Sequence, residues 1–332
     1  MKYSHILSEV MATPWAIRPE KLNAIMAFLR LKSEGINLTA DDVALVKQQP
    51  REPYLLEASG EMEAEGQPGT ASRSRAGAVA VLPLFGTILH RMGTLSEFSG
   101  GTSTERFTGW LRAALADDGV SSVVIDVDSP GGTVTGVPEL GDEIYKARDS
   151  KPIIAVANGQ AASAAYWLAS QASEFVATPS SEVGSIGVFA AHEDISKAAE
   201  REGVRVTLVS AGKYKTEANP FEPLSDEART ALQSKVNDYY ARFTKAVARG
   251  RGVTVAAVQS GFGEGRMVSA DKAKSDGMID RIATLDQTLR RLGARQGVRK
   301  LPESFRAEQV TTAPKLPSAA MRRREHELSL YQ

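Results

Sequence analysis

Ser163 is the residue whose type and surroundings could support nucleophilic chemistry. A short apolar run over 153–157 ends at Asn158-Gly159 and is followed by small residues that read as a helix, so the sequence predicts a strand, a tight turn and a helix. Ser163 lies where that helix begins, beside unpaired N–H groups and the positive end of the helix dipole, which favour a negative oxygen. The neighbouring side chains are small enough to let a peptide approach: Ala161, Ala162, Ala164 and Ala165. The alternative is an ordinary N-cap serine of a packing helix.

A turn that could bind an oxyanion follows the apolar run over 123–127. It reads Ser129-Pro130-Gly131-Gly132. Proline fixes one dihedral angle and the glycines permit positive φ angles, so backbone without side chains can lie close to a ligand. Exposed N–H groups in such a turn can stabilise a negative oxygen. A plain strand-to-helix turn is the alternative interpretation.

Two lysines follow an apolar segment that reads as a strand over 204–209. The segment after it is Ser210-Ala211-Gly212-Lys213-Tyr214-Lys215-Thr216. A catalytic serine needs a base for its proton, and lysine can serve once burial moves its pKa well below about 10.4. Taken alone, each lysine is read as a solvated loop residue rather than as a base, because solvated loop lysines are far more common.

Together these segments resemble the signal peptide peptidase A family, the Ser-Lys peptidases whose fold is shared with ClpP and crotonase. The resemblance covers roughly residues 79–290. It rests on four motifs in the right order: Ser-Pro-Gly-Gly at 129–132, Gly-Gln-Ala-Ala-Ser-Ala-Ala-Tyr at 159–166, Gly-Ser-Ile-Gly-Val at 184–188, and Gly-Lys-Tyr-Lys at 212–215. The implied activity is cleavage of peptide bonds by acyl transfer.

The resemblance also implies a role for each matching side chain. Ser163 would be the nucleophile, and Lys215, rather than Lys213, would be the general base. Ser185 would hold that lysine in place by a hydrogen bond, although a simple turn serine is an equal alternative.

Two backbone groups would stabilise the tetrahedral intermediate in such an enzyme. The N–H of Gly132, preferred over that of Gly131, would be one donor to the oxyanion. The N–H of Ala164 would be the second.

A competing mechanism would use a histidine as the base. Among the four histidines, only His192 lies within the core region after Ser163, with Asp194 or another acid to orient it. The Gly-Lys-Tyr-Lys segment has no role in such a triad, so we favour lysine.

Composition excludes several other classes of site. The chain has 332 residues, and Lys+Arg and Asp+Glu number 40 each, so the net charge gives no indication of a nucleic-acid partner. Cysteine is absent, which excludes disulfides, thiolate catalysis and cysteine-ligated metals. No metal-ligand spacing and no phosphate-binding glycine loop is found, so we expect neither a metal nor a cofactor.

The sequence gives no indication of a membrane anchor. Charged residues interrupt the N-terminal stretch, which therefore does not read as a signal peptide. The longest apolar stretch, residues 77–88, is broken by Pro83 and Gly86 and is shorter than the roughly 18 residues that a spanning helix needs. We therefore expect a soluble, cytoplasmic protein.

Four regions are expected along the chain. Residues 1–46 read as an N-terminal helical segment, in which Leu22, Ile25, Met26 and Leu29 form an apolar face after Pro19 and a short helix restarts at 38–42. Residues 47–76 read as a flexible linker, 77–290 as the peptidase domain, and 291–332 as a helix end followed by a flexible polar tail.

The fold class expected for 77–290 is α/β, because strand-like and helix-like segments alternate there. This pattern is typical of repeated ββα or βαβ units with a mostly parallel sheet, as the ClpP/crotonase resemblance also implies. The expected strands are 78–85, 122–127, 153–157, 175–177, 183–189 and 204–209. The expected helices are 104–116, 137–148, one from Ser163, 195–202, 226–249 and 270–276.

Within the resembled family, the sequence is most similar to the head maturation proteases of tailed bacteriophages. It has a single catalytic copy, preceded by a helical segment containing Pro14-Trp15-Ala16-Ile17. This implies polypeptide substrates such as scaffold, portal or capsid proteins, a homo-oligomer, and a location in the host cytoplasm or the procapsid interior. The alternatives are a soluble housekeeping peptidase, a protein with acyl-CoA chemistry on the crotonase-type fold, and an inactive capsid assembly module.

Overall fold

The structure is a computed structural model that describes residues 14–33, 52–58, 77–91 and 101–300. Its strands are β1 (Trp15–Ile17), β2 (Tyr54–Ala58), β3 (Ala78–Phe85), β4 (Ile88–Leu89), β5 (Thr102–Ser103), β6 (Val120–Ser129), β7 (Gly131–Thr133), β8 (Ile153–Ala162), β9 (Glu174–Ala177), β10 (Glu182–Gly184), β11 (Met267–Ser269), β12 (Arg281–Ile282) and β13 (Ala294–Lys300). Its helices are α1 (Pro19–Ser33), α2 (Thr104–Ala116), α3 (Val137–Ala147), α4 (Ala164–Ala169), α5 (Ser196–Arg201), α6 (Asp226–Arg251), α7 (Val255–Gly261), α8 (Ala270–Ser275) and α9 (Leu285–Arg291).

A nine-stranded sheet forms the centre of the molecule. Its main path runs β11-β10-β8-β6-β3-β2-β13, and β9 and β12 add beside the first half of β8. The strands β10, β8, β6 and β3 are mutually parallel, whereas β2, β13 and β11 add antiparallel at the edges. The expected α/β class with a mostly parallel sheet is therefore confirmed. A second sheet, β1-β7-β4-β5, lies at the carboxyl end of β6.

The central strands are apolar on both faces because helices cover both. On one face, Leu82 and Ile125 pack in the main core with Phe107 of α2, and the rings of Trp167 and Phe243 stack at 4.7 Å between centroids. The other face carries a smaller cluster, in which Val79, Val81, Val124 and Val156 meet the apolar side of α9. Strands buried on both faces read as continuous apolar runs, which is why these were predicted from sequence.

The N-terminal segment contains a helix and also a strand. The expected apolar face is confirmed, since Leu22, Ile25, Met26 and Leu29 of α1 are all buried. The prediction of helix throughout was wrong for 15–17, which form β1. The helix expected at 38–42 lies outside the described residues.

Four further segments differ from the prediction. The strand expected over 183–189 ends at Gly184, as β10. Residues 54–58 of the expected linker form β2, and 294–300, at the start of the expected tail, form β13, which pairs with β2. The strand expected over 204–209 was wrong, because these residues adopt no regular structure. An extended segment becomes a strand only beside a neighbour that takes its backbone hydrogen bonds. Residues 47–51, 59–76 and 301–332 lie outside the described residues.

Candidate active site

Ser163 is held in a backbone conformation that a residue with a side chain rarely adopts. It separates β8 from α4 with φ 54° and ψ −116°, outside the main allowed regions. Its N–H donates to the carbonyl of Gly184 at 2.7 Å, and its carbonyl accepts from the N–H of Trp167 at 2.9 Å. These two hydrogen bonds hold the backbone in its strained conformation. A conformation of this kind normally costs about 1–3 kcal/mol of folding free energy.

The Ser163 side chain does not cap the helix that follows it. No side-chain capping hydrogen bond is made within the described residues, so the alternative of an ordinary N-cap serine is wrong. The hydroxyl instead donates to the carbonyl of Gly187 at 3.4 Å, a long contact, and the residue is 1% exposed. A buried hydroxyl with one weak partner can exchange that partner for a reacting group.

The strand that carries Ser163 is kinked just before it. The register between β6 and β8 shifts between the pairs Val127/Ala157 and Ser129/Ala161, so β8 contains extra residues there. Gly159 lies within this bulge at φ 134°, where an added Cβ would lie 2.8 Å from a carboxylate oxygen of Asp128. The tight turn expected at Asn158-Gly159 was therefore wrong, because β8 continues to Ala162. Bulges of this kind redirect the end of a strand.

The glycine turn lies directly against Ser163. Gly131 has φ 93°, and a Cβ added to it would lie 3.0 Å from Ser163 Cβ. Its N–H donates to the Ser129 hydroxyl at 3.2 Å, which in turn donates to the carbonyl of Gly86 at 2.6 Å. The N–H of Gly131 is thus engaged within the turn. A Cβ on Gly132 would lie 1.8 Å from the carbonyl oxygen of Ile88, so only glycine fits beside β4.

Ser185 lies on the third segment near the nucleophile. It follows Gly184, the residue that binds the Ser163 N–H, and it also has a positive φ of 54°. Its N–H donates to the carbonyl of Arg266 at 2.8 Å, and the residue is 8% exposed. Three of the four motif segments therefore meet around Ser163.

The fourth segment, which carries the lysines, is exposed. Lys213 donates to the Tyr214 hydroxyl at 2.7 Å and to Glu227 at 3.1 Å, and these hydrogen bonds raise the pKa of Lys213 above its ordinary value. Lys215 is exposed, and within the described residues its amine makes neither a hydrogen bond nor an ion pair, with Ser163 or any other group. The chain alone does not bring Lys215 into contact with Ser163.

The histidine alternative receives no contact to the nucleophile. Nε2 of His192 makes a hydrogen bond with the carbonyl of Asn219 at 3.1 Å. Asp194 accepts the N–H of Ser196 at 2.9 Å, and hydrogen bonds from Ser196 lower the pKa of Asp194. His192 is thus bonded to Asn219 and Asp194 to Ser196, and within the described residues neither side chain makes a hydrogen bond with Ser163.

Within residues 14–33, 52–58, 77–91 and 101–300, no group of three or more His, Cys, Asp or Glu side chains lies close enough together to hold a metal ion. None of the helices there is both long and apolar enough to cross a membrane.

A backbone neighbour of the site that sequence reasoning missed is β1. It pairs antiparallel with β7, so that Ala16 lies opposite Gly132 and Ile17 opposite Gly131. Three consecutive apolar residues, Trp15–Ile17, with a proline at position 14, are a signal for a short buried strand. The predicted N-terminal helical segment over 1–46 includes these residues, and the strand was therefore missed.

Ser163 is thus a buried serine with a strained backbone that faces a glycine turn at the end of a parallel strand. Residues 146–299 match the model of Peptidase family S49, and this range includes Ser163, Ser185 and both lysines. This part of the chain is therefore similar to Peptidase family S49, which confirms the resemblance to the signal peptide peptidase A family.

Individual relatives include two phage proteins and a bacterial protease. The chain is 33% identical to the head-tail preconnector protein GP5 of Enterobacteria phage P21, over 77% of this chain and 50% of that protein. It is 35% identical to the capsid assembly protease C of Escherichia phage lambda, over 61% of this chain and 46% of the relative. It is 28% identical to protease 4 of Salmonella typhi, over 64% of this chain and 34% of the relative. The chain thus spans half or less of the length of these curated relatives.

Proposed function

We propose that the chain is a serine endopeptidase that hydrolyses peptide bonds by acyl transfer, with Ser163 as the nucleophile and Lys215 as the general base. The observation that carries the proposal is the strained, buried backbone of Ser163 opposite the Gly131 turn, in a residue that does not cap its helix. Strain of this kind clusters at active sites. The similarity of residues 146–299 to a peptidase family supports the same chemistry.

In the proposed reaction, the neutral amine of Lys215 accepts the hydroxyl proton while Ser163 Oγ attacks the peptide carbonyl carbon. The N–H groups of Gly132 and Ala164 stabilise the resulting oxyanion, each by about 3 kcal/mol. The protonated lysine then gives its proton to the leaving amine, and the acyl-enzyme forms as the C–N bond breaks. Water, deprotonated by the same lysine, releases the acyl group and regenerates Ser163.

Two observations support the choice of donors and base. The N–H of Gly131 is taken by the Ser129 hydroxyl, which favours Gly132 as the donor. The amine of Lys213 is held by Tyr214 and by Glu227 with a raised pKa, so it is rarely neutral and a poor proton acceptor. We propose that Ser185 orients Lys215 once that side chain reaches the site.

Lys215 has to be covered before it can act, because lysine loses its proton readily only where burial disfavours the charge. The segment leading to Lys215 exposes apolar side chains: Val204, Val206, Leu208 and Val209 are 51%, 38%, 42% and 96% exposed. A contact with a second copy of the chain would bury these residues together with the lysine. We therefore propose a homo-oligomer as the working form.

The proposed biological role is processing of scaffold, portal or capsid proteins during phage head assembly, in the host cytoplasm or inside the procapsid. It is supported by the names of two relatives, a capsid assembly protease and a head-tail preconnector protein. The substrates are proteins, and no nucleic acid or cofactor takes part in the proposed reaction.

A serine-reactive fluorophosphonate probe and a proteolysis assay test the proposal together. The full chain should label and should cleave candidate scaffold or portal proteins, whereas Ser163→Ala should do neither. Lys215→Ala should lower cleavage by at least about 100-fold, while the matched variant Lys213→Ala keeps most activity. A labelled chain with full activity in Lys215→Ala would show that the base is another residue.

Mixing the two inactive variants tests where the base comes from. If Lys215 acts on Ser163 of a second copy, a mixture of Ser163→Ala and Lys215→Ala should recover cleavage that neither has alone. If the dyad forms within one chain, the mixture should stay inactive. A wild-type chain that never labels and never cleaves would favour the inactive assembly module.

A further inference from the structure

The strand β1 crosses the candidate active site with both of its edges paired. On one side it pairs antiparallel with β7, the strand that begins in the glycine turn. On the other side Trp15 exchanges two hydrogen bonds with Phe189, its N–H donating at 2.8 Å and its carbonyl accepting at 3.0 Å. The N-terminal strand therefore fills the space between these two segments.

Both of those segments also contact the nucleophile. Gly131 lies against Ser163 Cβ, and Gly187, two residues before Phe189, accepts the Ser163 hydroxyl. A Cβ built on Gly131 would lie 2.3 Å from the carbonyl oxygen of Ala16 and 3.0 Å from Ser163 Cβ. The Ala16 carbonyl and the serine side chain thus converge on one point beside Gly131.

The register of β1 places the Ala16 carbonyl opposite the N–H of Gly132, a proposed oxyanion donor. The N–H of Arg18 donates to the carbonyl of Pro130 at 2.9 Å, and the N–H of Val134 donates to the carbonyl of Pro14 at 3.4 Å. Hydrogen-bonded pairs alternate in an antiparallel ladder, so the pair between them, Ala16 with Gly132, is also hydrogen-bonded. The N–H of Gly132 therefore faces the Ala16 carbonyl, as it would face the carbonyl of a bound substrate.

The side chains of β1 alternate as those of a bound peptide would. Ala16 is fully buried and packs in the main core, the cluster that also contains Ala161 and Ala164 on either side of Ser163. Trp15 and Ile17 face the opposite side, where they pack with the apolar face of α1, and Phe189 packs against this cluster. A small residue thus lies towards the serine, and large residues lie away from it.

We infer that residues 14–18 occupy the peptide-binding groove of this enzyme as an internal substrate mimic. The groove takes an extended peptide between β7 and Phe189, with a small side chain towards Ser163, and the strand excludes other peptides until it leaves. Recognition by addition of a strand uses main-chain hydrogen bonds for affinity and alternate side-chain pockets for specificity. The inference rests on the proposed function, since it assumes that Ser163 marks the site of cleavage.

Peptide binding to inactive chains tests the inference without relying on catalysis. The probe is a fluorescent synthetic peptide with the sequence of residues 12–20, and the host is the full chain with Ser163→Ala. Binding should be at least tenfold tighter when Trp15→Gly and Ile17→Gly are added to the host, because both anchors of β1 are then lost. The matched control Asn23→Ala, at an exposed position of α1, should bind like the parent. A peptide with tryptophan in place of Ala16 should bind to the host with Trp15→Gly and Ile17→Gly at least tenfold more weakly than the original peptide does.

A reversible disulfide between β1 and β7 is the control for a double-glycine host that is merely misfolded. Trp15 and Thr133 form a non-hydrogen-bonded pair, in which the two Cβ atoms lie close enough for a disulfide. The chain contains no cysteine, so Trp15→Cys with Thr133→Cys creates a single defined pair. The oxidised protein should not bind the peptide, and the same sample should bind it after the disulfide is reduced.

Equal binding to the oxidised and reduced forms would overturn the inference, as would equal binding to the parent and the double-glycine host. Failure of the proposed function gives a different result. In that case binding still depends on release of β1, but the reduced chain with Ser163 intact does not react with the fluorophosphonate probe.

Discussion

Replacing Ser163 by glycine should stabilise the fold relative to alanine at the same position, and under the proposed mechanism either change should abolish activity. With φ 54° and ψ −116°, Ser163 lies outside the regions open to residues with a Cβ. Strain of this kind costs up to about 3 kcal/mol, and glycine relieves it whereas alanine does not. Against this gain, glycine loses about 0.5–1 kcal/mol through the entropy of the unfolded chain. Loss of the buried methyl group costs about another 0.8 kcal/mol.

The expected balance is a free energy of unfolding about 1 kcal/mol higher for Ser163→Gly than for Ser163→Ala. The assay is urea unfolding followed by circular dichroism, with both variants at the same pH and salt. A control pair at Ser234, an exposed position in α6, should show the opposite sign, since glycine costs about 1 kcal/mol relative to alanine in a helix interior.

The sign reversal between the two positions is the discriminating result. If glycine is less stable than alanine at 163 by the same amount as at 234, the backbone at Ser163 carries no strain. The site argument would then lose the observation on which it depends. Such a result would leave Ser163 as an ordinary buried serine.

Two further predictions concern stability and the oxyanion turn. The carboxylate of Asp280 accepts bonds from Arg251 at 2.7 and 2.8 Å and from the N–H of Phe175 at 2.7 Å; burial alone would raise its pKa, but these bonds lower it. The contribution of Asp280 to the free energy of unfolding is therefore present above pH about 4 and is lost as pH falls through the lowered pKa. In urea unfolding, Asp280→Asn should cost roughly 1–3 kcal/mol at pH 7 and less at lower pH. A cost that does not change with pH would contradict this prediction. Gly132→Ala should displace β7 and reduce kcat by about 100-fold or more, whereas Gly261→Ala, with open space at its Cβ, should not; equal kcat values would refute the role of the turn.

The elements that were predicted correctly are those whose signal is local. The bounds expected for β3 and α2 match the structure, because continuous apolar runs and helical periodicity depend only on nearby residues. The apolar face of α1 was likewise predicted from the spacing of its buried residues. The three motif segments that meet around Ser163 were found because each has its own distinctive residues.

The elements that were missed depend on distant partners. β2 and β13 are separated by more than two hundred residues and stabilise each other at the edge of the sheet. Residues 204–209 have the composition of a strand, but within the described part of the chain no neighbouring strand pairs with them. The Asn158-Gly159 pair is typical of a turn, yet pairing of β8 with β6 on both sides of it keeps the strand continuous through a bulge.

The candidate site has a buried half and an open half, and this division has a chemical consequence. The serine, the glycine turn and the β1 strand are held by backbone hydrogen bonds inside the fold, whereas Lys215 projects from an exposed segment whose apolar residues also lack cover. Under the proposed mechanism, a single chain therefore has its nucleophile in place but keeps Lys215 out of contact with Ser163, and its groove is filled. Cleavage then requires two separate events, release of β1 and coverage of the lysine segment. If both events are required, release of β1 alone should not give full activity. The rate of cleavage should then depend on how much of the lysine segment is buried in contacts between copies.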